Sequence, residues 1–191
     1  VYEDILNFNP SAYGLKPSVY KIIANIPYNI TGAILRMFLT AQKQPKMMVL
    51  MVQHEVATRI LAKDGKESLL SISVKAYGTP KLVIKVDKRY FSPAPKVNSA
   101  VIKINDINRE VFTKNGRVSM DGTQHDSAES EEKFWKTVKS GFAHKRKKLS
   151  GNLKGIISRD ARQDVLILGF LEKRAEDLTM ENWLVLSKAV I

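Results

Sequence analysis

Asn25-Ile26-Pro27-Tyr28-Asn29 follows the short apolar run Tyr20-Lys21-Ile22-Ile23-Ala24 and precedes Ile30-Thr31-Gly32-Ala33-Ile34-Leu35-Arg36-Met37-Phe38-Leu39. The run from Val19 to Ala24 is β-rich and bounded by Pro17-Ser18, which predicts a buried strand. The second run puts Ile34, Leu35, Phe38 and Leu39 on one face of a helix over Thr31 to Gln42, with Thr31 as its N-cap. The quoted turn therefore lies where a strand hands over to a helix. Ligands of open α/β sheets bind just beyond the carboxyl ends of strands. Proline removes a backbone donor and stiffens the turn, holding Asn25 and the carbonyls of Ile26 and Pro27 as a fixed set of acceptors. Two acceptors beside the Tyr28 ring suit a flat heterocycle with an exocyclic amino group. A tight turn whose tyrosine packs locally fits the same residues equally well.

Outward from this turn, Met47 to Gln53 reads as a second apolar strand, and Lys81 to Val86 and Val97 to Ile104 as two more. Glu55 to Ala62 and Ser68 to Tyr77 read as helices. Strands alternating with helices predict an α/β sheet, mostly parallel. Asn105 to Ser130 is polar and reads as a loop, a disordered surface insertion, and the chain from Glu131 onward reads as helical. The division this implies is 1–107, 108–130 and 131–191: an α/β domain, a polar insertion and a helical domain. At 191 residues with 44% apolar content, the chain can bury a core. No apolar run is long enough to span a bilayer, and the first residues do not form a basic stretch followed by an apolar one, so neither a membrane span nor a signal peptide is expected. There are no cysteines, which excludes thiolate nucleophiles, disulfides and cysteine-based zinc sites. None of His54, His125 and His144 has metal-ligand spacing to another, so no metal is expected.

The net charge of +12 and pI near 9.8 point to a polyanionic partner, nucleic acid before an acidic membrane surface. The charge is uneven: Lys133 to Arg162 holds ten Lys or Arg against one acid, Asp160. Its centre is Phe142-Ala143-His144-Lys145-Arg146-Lys147-Lys148-Leu149. Because Phe134, Trp135, Val138, Phe142, Leu149, Leu153, Ile156 and Ile157 recur at helical spacing, the segment predicts helices with one packed and one basic face. Such a face suits phosphate contacts that orient a protein on RNA. Trp135 and Trp183 fall on apolar stripes and read as core.

A second constellation, Phe91-Ser92-Pro93-Ala94-Pro95-Lys96-Val97-Asn98-Ser99, lies between two predicted strands. Alternate prolines make a stiff, extended loop with Phe91 at its start. An aromatic on a rigid loop can stack on an extruded base or simply plug the sheet end. Together the two motifs resemble those of the KsgA-type S-adenosylmethionine-dependent small-subunit rRNA adenine N6,N6-dimethyltransferases. The resemblance extends through Glu3-Asp4-Ile5-Leu6, Gln53 to Ile60, Phe91 to Val101, Phe142 to Leu149, Arg174 to Leu178 and the closing helix Met180 to Val190. It implies a Rossmann-like class I methyltransferase sheet followed by a small all-helical rRNA-binding domain.

The resemblance also implies roles. Asp4 matches the acid that holds the adenine amino group of S-adenosylmethionine, and Asn25 stands where cofactor and target base meet. Asn25 and the Pro27 region would accept the N6 hydrogens of the target adenine, while Tyr28 and Phe91 would sandwich its ring. Lys145, Arg146, Lys147 and Lys148 would bind rRNA. The implied substrates are two adjacent adenosines near the 3′ end of small-subunit rRNA, within a pre-30S-type particle, methylated by a cytoplasmic monomer in ribosome biogenesis. The family's glycine-rich turn, which follows its first strand, has no counterpart here, because Gly14 and Gly32 are isolated. The chain thus reads as N-terminally truncated, lacking most of the cofactor pocket and leaving the strand Val19 to Ala24 as an apolar sheet edge. Asn98 stands where relatives often have Asp and keeps the acceptor. Two other functions fit the sequence. One is a non-catalytic RNA or ribosome-assembly binding protein on the same scaffold, favoured by the missing turn. The other is an N6-adenine methylase acting on large-subunit rRNA or DNA.

Overall fold

The computed structural model describes residues 3–113, 127–158 and 160–190. Four strands, Lys21–Asn25 (β1), Met47–Gln53 (β2), Thr79–Val86 (β3) and Ser99–Asn105 (β4), form one sheet in the order β1-β2-β4-β3. Side chains alternate across a strand, and the alternation is strict in β2, where Met48, Leu50 and Val52 are completely buried. In β4, Ala100, Ile102 and Ile104 are buried in the same way.

The pairing differs from a mostly parallel sheet. β1 and β2 are parallel, but β4 is antiparallel to both β2 and β3. Hence β1, β2 and β3 point one way, and β4 runs back between the last two. The cause is the connection from β3 to β4, Asp87 to Asn98, which contains a single 3-10 turn and no crossover helix. Without a crossover the chain can re-enter the sheet only antiparallel. As a result the ends of β1, β2 and β3 meet the start of β4 on one side of the sheet. Gln53 and Val86 both pair with Ser99. β1 is an edge strand, and its Ile23 is 75% exposed.

Helix α1, Thr31–Leu39, buries the predicted face of Ile34, Leu35, Phe38 and Leu39. Thr31 is not its N-cap. A 3-10 turn over Tyr28–Ile30 moves the start, so Ile30 occupies the cap position. The buried Thr31 hydroxyl instead donates to the Tyr28 carbonyl at 3.1 Å. The helix stops at Leu39, whose carbonyl accepts from the buried Gln44 amide at 2.6 Å. Helix α2, His54–Leu61, follows β2 directly, and α3 is Leu69–Lys75.

The chain divides into two compact units: Val1–Lys63 with Ser73–Asn108, which contains the sheet, and Asp64–Ile72 with Arg109–Ile191. The second is helical, with α4 (Glu110–Thr113), α5 (Ser127–Gly141), α6 (Leu149–Asn152), α7 (Val165–Leu171) and α8 (Met180–Ser187). The polar stretch beyond Ile104 is therefore not a loop throughout. Phe112 of α4 is buried and meets Phe134 of α5 edge-on at 5.4 Å, and α5 begins at Ser127. The rest of the predicted insertion, 114–126, lies outside the described residues. Trp183 of α8 is completely buried and stacks with Phe142 at 5.5 Å. Trp135 is half-buried and lies edge-on to Phe134. Thr179 caps α8 reciprocally with Asn182, their side chains accepting each other's backbone N–H, a capping box. The closing helix ends at Ser187 rather than Val190, which instead bridges to Ile157.

Two constraints hold this unit. Gly141 is the last residue of α5, and a β-carbon there would lie 2.3 Å from Cη2 of Trp183 and 3.0 Å from Cδ2 of Leu149. Segment 64–72 is tied to the 3-10 turn Ala175–Asp177: the Glu67 N–H donates to the Glu176 carbonyl at 2.8 Å, and the Lys66 ammonium donates to Asp177 Oδ1. This bond from Lys66, with the Arg174 N–H, holds the Asp177 carboxyl below its usual value.

Gly141→Ala is expected to destabilise the chain by about 1–3 kcal/mol, as overpacking against a buried ring does, read as a lower urea midpoint. For Asp177→Asn the sign is set by the lowered carboxyl pKa. The stabilisation is complete above the usual value of 3.8 and is lost as the pH falls through the lowered one. The stability difference between wild type and variant should be measurable at pH 7 and shrink as denaturation is repeated in acid.

Candidate functional site

The two motifs, remote in sequence, meet at one end of the sheet. Asn25 is the last residue of β1, paired with Met51 of β2. Its side chain is exposed and makes no hydrogen bond among the described residues. Ile26 turns inward and is buried, anchoring the turn, while Pro27 is exposed, with φ −57° and ψ 134°. The Pro27 carbonyl accepts from the Ile30 N–H at 3.2 Å, so one of its lone pairs is used by the turn and one is left. Tyr28 is half-buried, and its hydroxyl is hydrogen-bonded to the Ser99 hydroxyl at 2.6 Å. Ser99 is completely buried at the start of β4, the point on which the ends of β2 and β3 converge.

Phe91 closes the 3-10 turn Lys88–Tyr90 that follows β3. Its N–H donates to the Lys88 carbonyl at 3.2 Å, and the next peptide bond but one, Ser92–Pro93, is cis. The ring is half-buried, and neither it nor Tyr28 stacks on another aromatic ring among the described residues. Asn98 keeps the acceptor expected of an aspartate: its Oδ1 receives the Lys88 N–H at 3.0 Å, and its carbonyl receives the His54 N–H at 2.9 Å. Thus the Phe91 loop is tied back to the strand that supplies Ser99. Asp4 caps a 3-10 turn, Ile5–Asn7, with Oδ1 accepting from the Leu6 N–H at 3.0 Å. The other carboxylate oxygen has no partner among the described residues.

The basic residues are arranged otherwise than on a helical face. α5 ends at Gly141, and Lys145, Arg146, Lys147 and Lys148 lie on the exposed turn before α6. The reason is a side chain that the sequence did not single out. The Asn152 amide donates to the carbonyl of Gly141 at 2.6 Å, the last of α5 and one that a continuing helix would have used, and to the carbonyl of His144 in the turn at 3.1 Å. The far end of the turn is held by a bridge between Lys148 and Arg174. Lys148 also pairs with Glu172 at 2.7 Å. Lys145, Arg146 and Lys147 have no acidic partner among the described residues. Ser99 closes the motif that begins at Phe91, but its bond to Tyr28 had no sequence signal, and Asn152 carried none at all; the importance of both comes from what they touch.

A sequence profile described as "Ribosomal RNA adenine dimethylase" matches residues 1–191. The chain belongs to this ribosomal RNA adenine dimethylase family. Among its relatives, a protein of Dehalococcoides mccartyi called "Ribosomal RNA small subunit methyltransferase A" is 37% identical over 190 residues, 97% of this chain and 60% of that protein. The protein of the same name from Acaryochloris marina is 33% identical, over 98% of this chain and 67% of its own length. The chain thus spans about 60% of the length of the first of these relatives. A solved dimethyladenosine transferase from Plasmodium falciparum superposes with a TM-score of 0.70 at 24% identity, covering 100% of this chain and 73% of that one. The 23S rRNA methyltransferase ErmE superposes with 0.69 at 24%, covering 100% and 70%. These likenesses establish the fold of this dimethylase-family chain as Rossmann-like α/β. Among the described residues no helix is long and apolar enough to cross a membrane.

The Tyr28–Ser99 bond is expected to contribute about 0.5–1.5 kcal/mol. Tyr28→Phe and Ser99→Ala should each lower stability, and the double variant should cost less than the sum because both remove the same bond. Chemical denaturation of the four proteins measures the coupling.

Proposed function

We propose that this chain carries the target-adenine wall and RNA-docking part of an S-adenosylmethionine-dependent small-subunit rRNA adenine N6,N6-dimethyltransferase. The observation that carries this reading is the joining of the two motifs by Tyr28 and Ser99 at the carboxyl end of the sheet, with the Asn25 side chain exposed there and the Tyr28 and Phe91 rings half-buried. Membership of the family and the names of its relatives support it. The substrates are two adjacent adenosines near the 3′ end of small-subunit rRNA, met in a pre-30S-type particle in the cytoplasm, and the protein acts as a monomer.

The chemistry asks for positioning more than for acid or base. An adenine amino nitrogen is a poor nucleophile because its lone pair is delocalised into the ring. Asn25 Oδ1 and the remaining lone pair of the Pro27 carbonyl can accept its two hydrogens, which draws the nitrogen toward tetrahedral geometry and localises the lone pair. Tyr28 and Phe91 hold the ring plane, and the Ser99 bond fixes where the Tyr28 ring stands. S-adenosylmethionine, when bound, supplies an electrophilic sulfonium methyl. Asp4 fits one edge of that cofactor, since its unpartnered carboxylate oxygen is free to accept from an adenine amino group, and Asn25 adjoins it from the strand end. A misplacement of about 1 Å can cost on the order of 10²-fold in rate, which accounts for the rigidity of the two loops. The basic turn, Lys145 to Lys148, binds the phosphate backbone and sets the register of the RNA.

The test is the affinity of the chain for an rRNA hairpin bearing two unpaired adjacent adenosines, against a fully paired control. Tyr28→Ala and Phe91→Ala should each weaken the first complex by roughly 5- to 150-fold, corresponding to about 1–3 kcal/mol per stacked base, and leave the second unchanged. Equal binding of both RNAs by wild type would sink the reading. For the whole protein, N6,N6-dimethyladenosine detected by mass spectrometry of the treated RNA is the matching readout.

A further inference from the structure

A groove of about 320 Å³ beside the Phe91 loop is lined by His54, Glu55, Lys88, Lys96, Val97 and Asn98. Its position follows from the reversal of β4. His54 follows the end of β2, Lys88 follows the end of β3, and Lys96 to Asn98 lead into β4. All three segments therefore lie at the sheet end that carries Asn25 and Tyr28. The walls are fixed by backbone bonds, from the Lys88 N–H to Asn98 Oδ1 and from the His54 N–H to the Asn98 carbonyl. The ammonium groups are not fixed: Lys88 and Lys96 are exposed, and neither makes a salt bridge among the described residues, the neighbouring Asp87 carboxylate acting on Lys88 only through its field. Arg89 differs, because its Nε pairs with Asp87 Oδ1 at 3.2 Å. The groove thus offers two unspent cations against one carboxylate, Glu55.

We propose that this groove seats the RNA backbone next to the extruded adenine, with Lys88 and Lys96 each contacting a phosphate of the single strand that flanks the target base. The proposal rests on the adenine-recognition reading above. Swinging a base out of its stack turns its backbone toward the protein and costs a few kcal/mol. Contacts to the flanking phosphates offset that cost and fix which nucleotide enters the pocket, as phosphate contacts do without reading sequence. An acidic peptide would find the same cations, but it would have no use for the acceptors and ring faces at the same sheet end.

The experiment uses the full chain and the hairpin with two unpaired adenosines, with single phosphates replaced in turn by neutral methylphosphonates. In the double variant Lys88→Gln/Lys96→Gln both changes are on exposed side chains, so a melting temperature matching wild type is expected. The double variant should bind roughly 10-fold more weakly or worse, and its log K against log salt slope should be shallower by about 1.4, two single-strand contacts at about 0.7 each. A methylphosphonate beside the adenosines should weaken binding by wild type and make its salt slope shallower by about 0.7, one single-strand contact, and leave the double variant unaffected. If the double variant binds like wild type while Tyr28→Ala binds more weakly, the groove proposal is overturned and the adenine reading stands. If neither variant weakens binding, the adenine reading falls and the groove with it. If the double variant is weaker but methylphosphonates cost both proteins equally, the lysines act only through their general field, and the seat is overturned.

Discussion

The hydrogen bond between Tyr28 and Ser99 exists because β4 runs backwards between β2 and β3. With no crossover helix available between Asp87 and Asn98, the chain turns back at once, and the first residue of β4 arrives where β2 and β3 end. Ser99 is completely buried there and paired with both Gln53 and Val86, so the backbone positions its hydroxyl. Tyr28, on a turn stiffened by Pro27 and anchored by the buried Ile26, is hydrogen-bonded to that hydroxyl at 2.6 Å. Its free-energy contribution is about 0.5–1.5 kcal/mol, ordinary for one hydrogen bond. Its structural contribution is larger, since it sets the position of the ring. Asn98, one residue earlier, does the same for the Phe91 loop through Lys88.

The reaction proposed above would ask little covalent chemistry of the protein. A poor amino nucleophile needs its hydrogens accepted and its ring held. The Asn25 amide, the Pro27 carbonyl and the Tyr28 and Phe91 rings are the groups proposed to meet that need. Preorganised groups of this kind act without reorganising at the moment of reaction.

The positive charge works on two scales. A net +12 attracts any polyanion over a Debye length and says nothing about register. Register needs cations on rigid backbone. The turn from Lys145 to Lys148 has it, because the Asn152 amide fastens one end and the Lys148–Arg174 bridge the other. At the start of that turn, Gly141 lies so close to Trp183 that a β-carbon there would clash with the indole. Lys148 is drawn toward Glu172 and Arg89 toward Asp87, so the cations left without partners are fewer than the sequence count suggests.

The sequence by itself determined the class of the fold, the strand–helix order, the apolar face of α1, the apolar character of β2 and the two motifs, because periodicity, apolar runs and proline stiffness are local properties. It also marked Asn25, Pro27, Tyr28 and Phe91 as residue types suited to a flat base. It misjudged the start of α1, where a 3-10 turn outcompeted Thr31 as cap, and the basic segment, where helical spacing of apolar residues concealed a break. Tertiary structure alone decided the direction of β4, the meeting of Tyr28 with Ser99, the burial of Phe112 and the clasp made by Asn152. Each of these depends on a partner distant in the chain or on a carbonyl left over when a helix stops. Neither a distant partner nor an unsatisfied carbonyl leaves a periodic trace in the residues themselves.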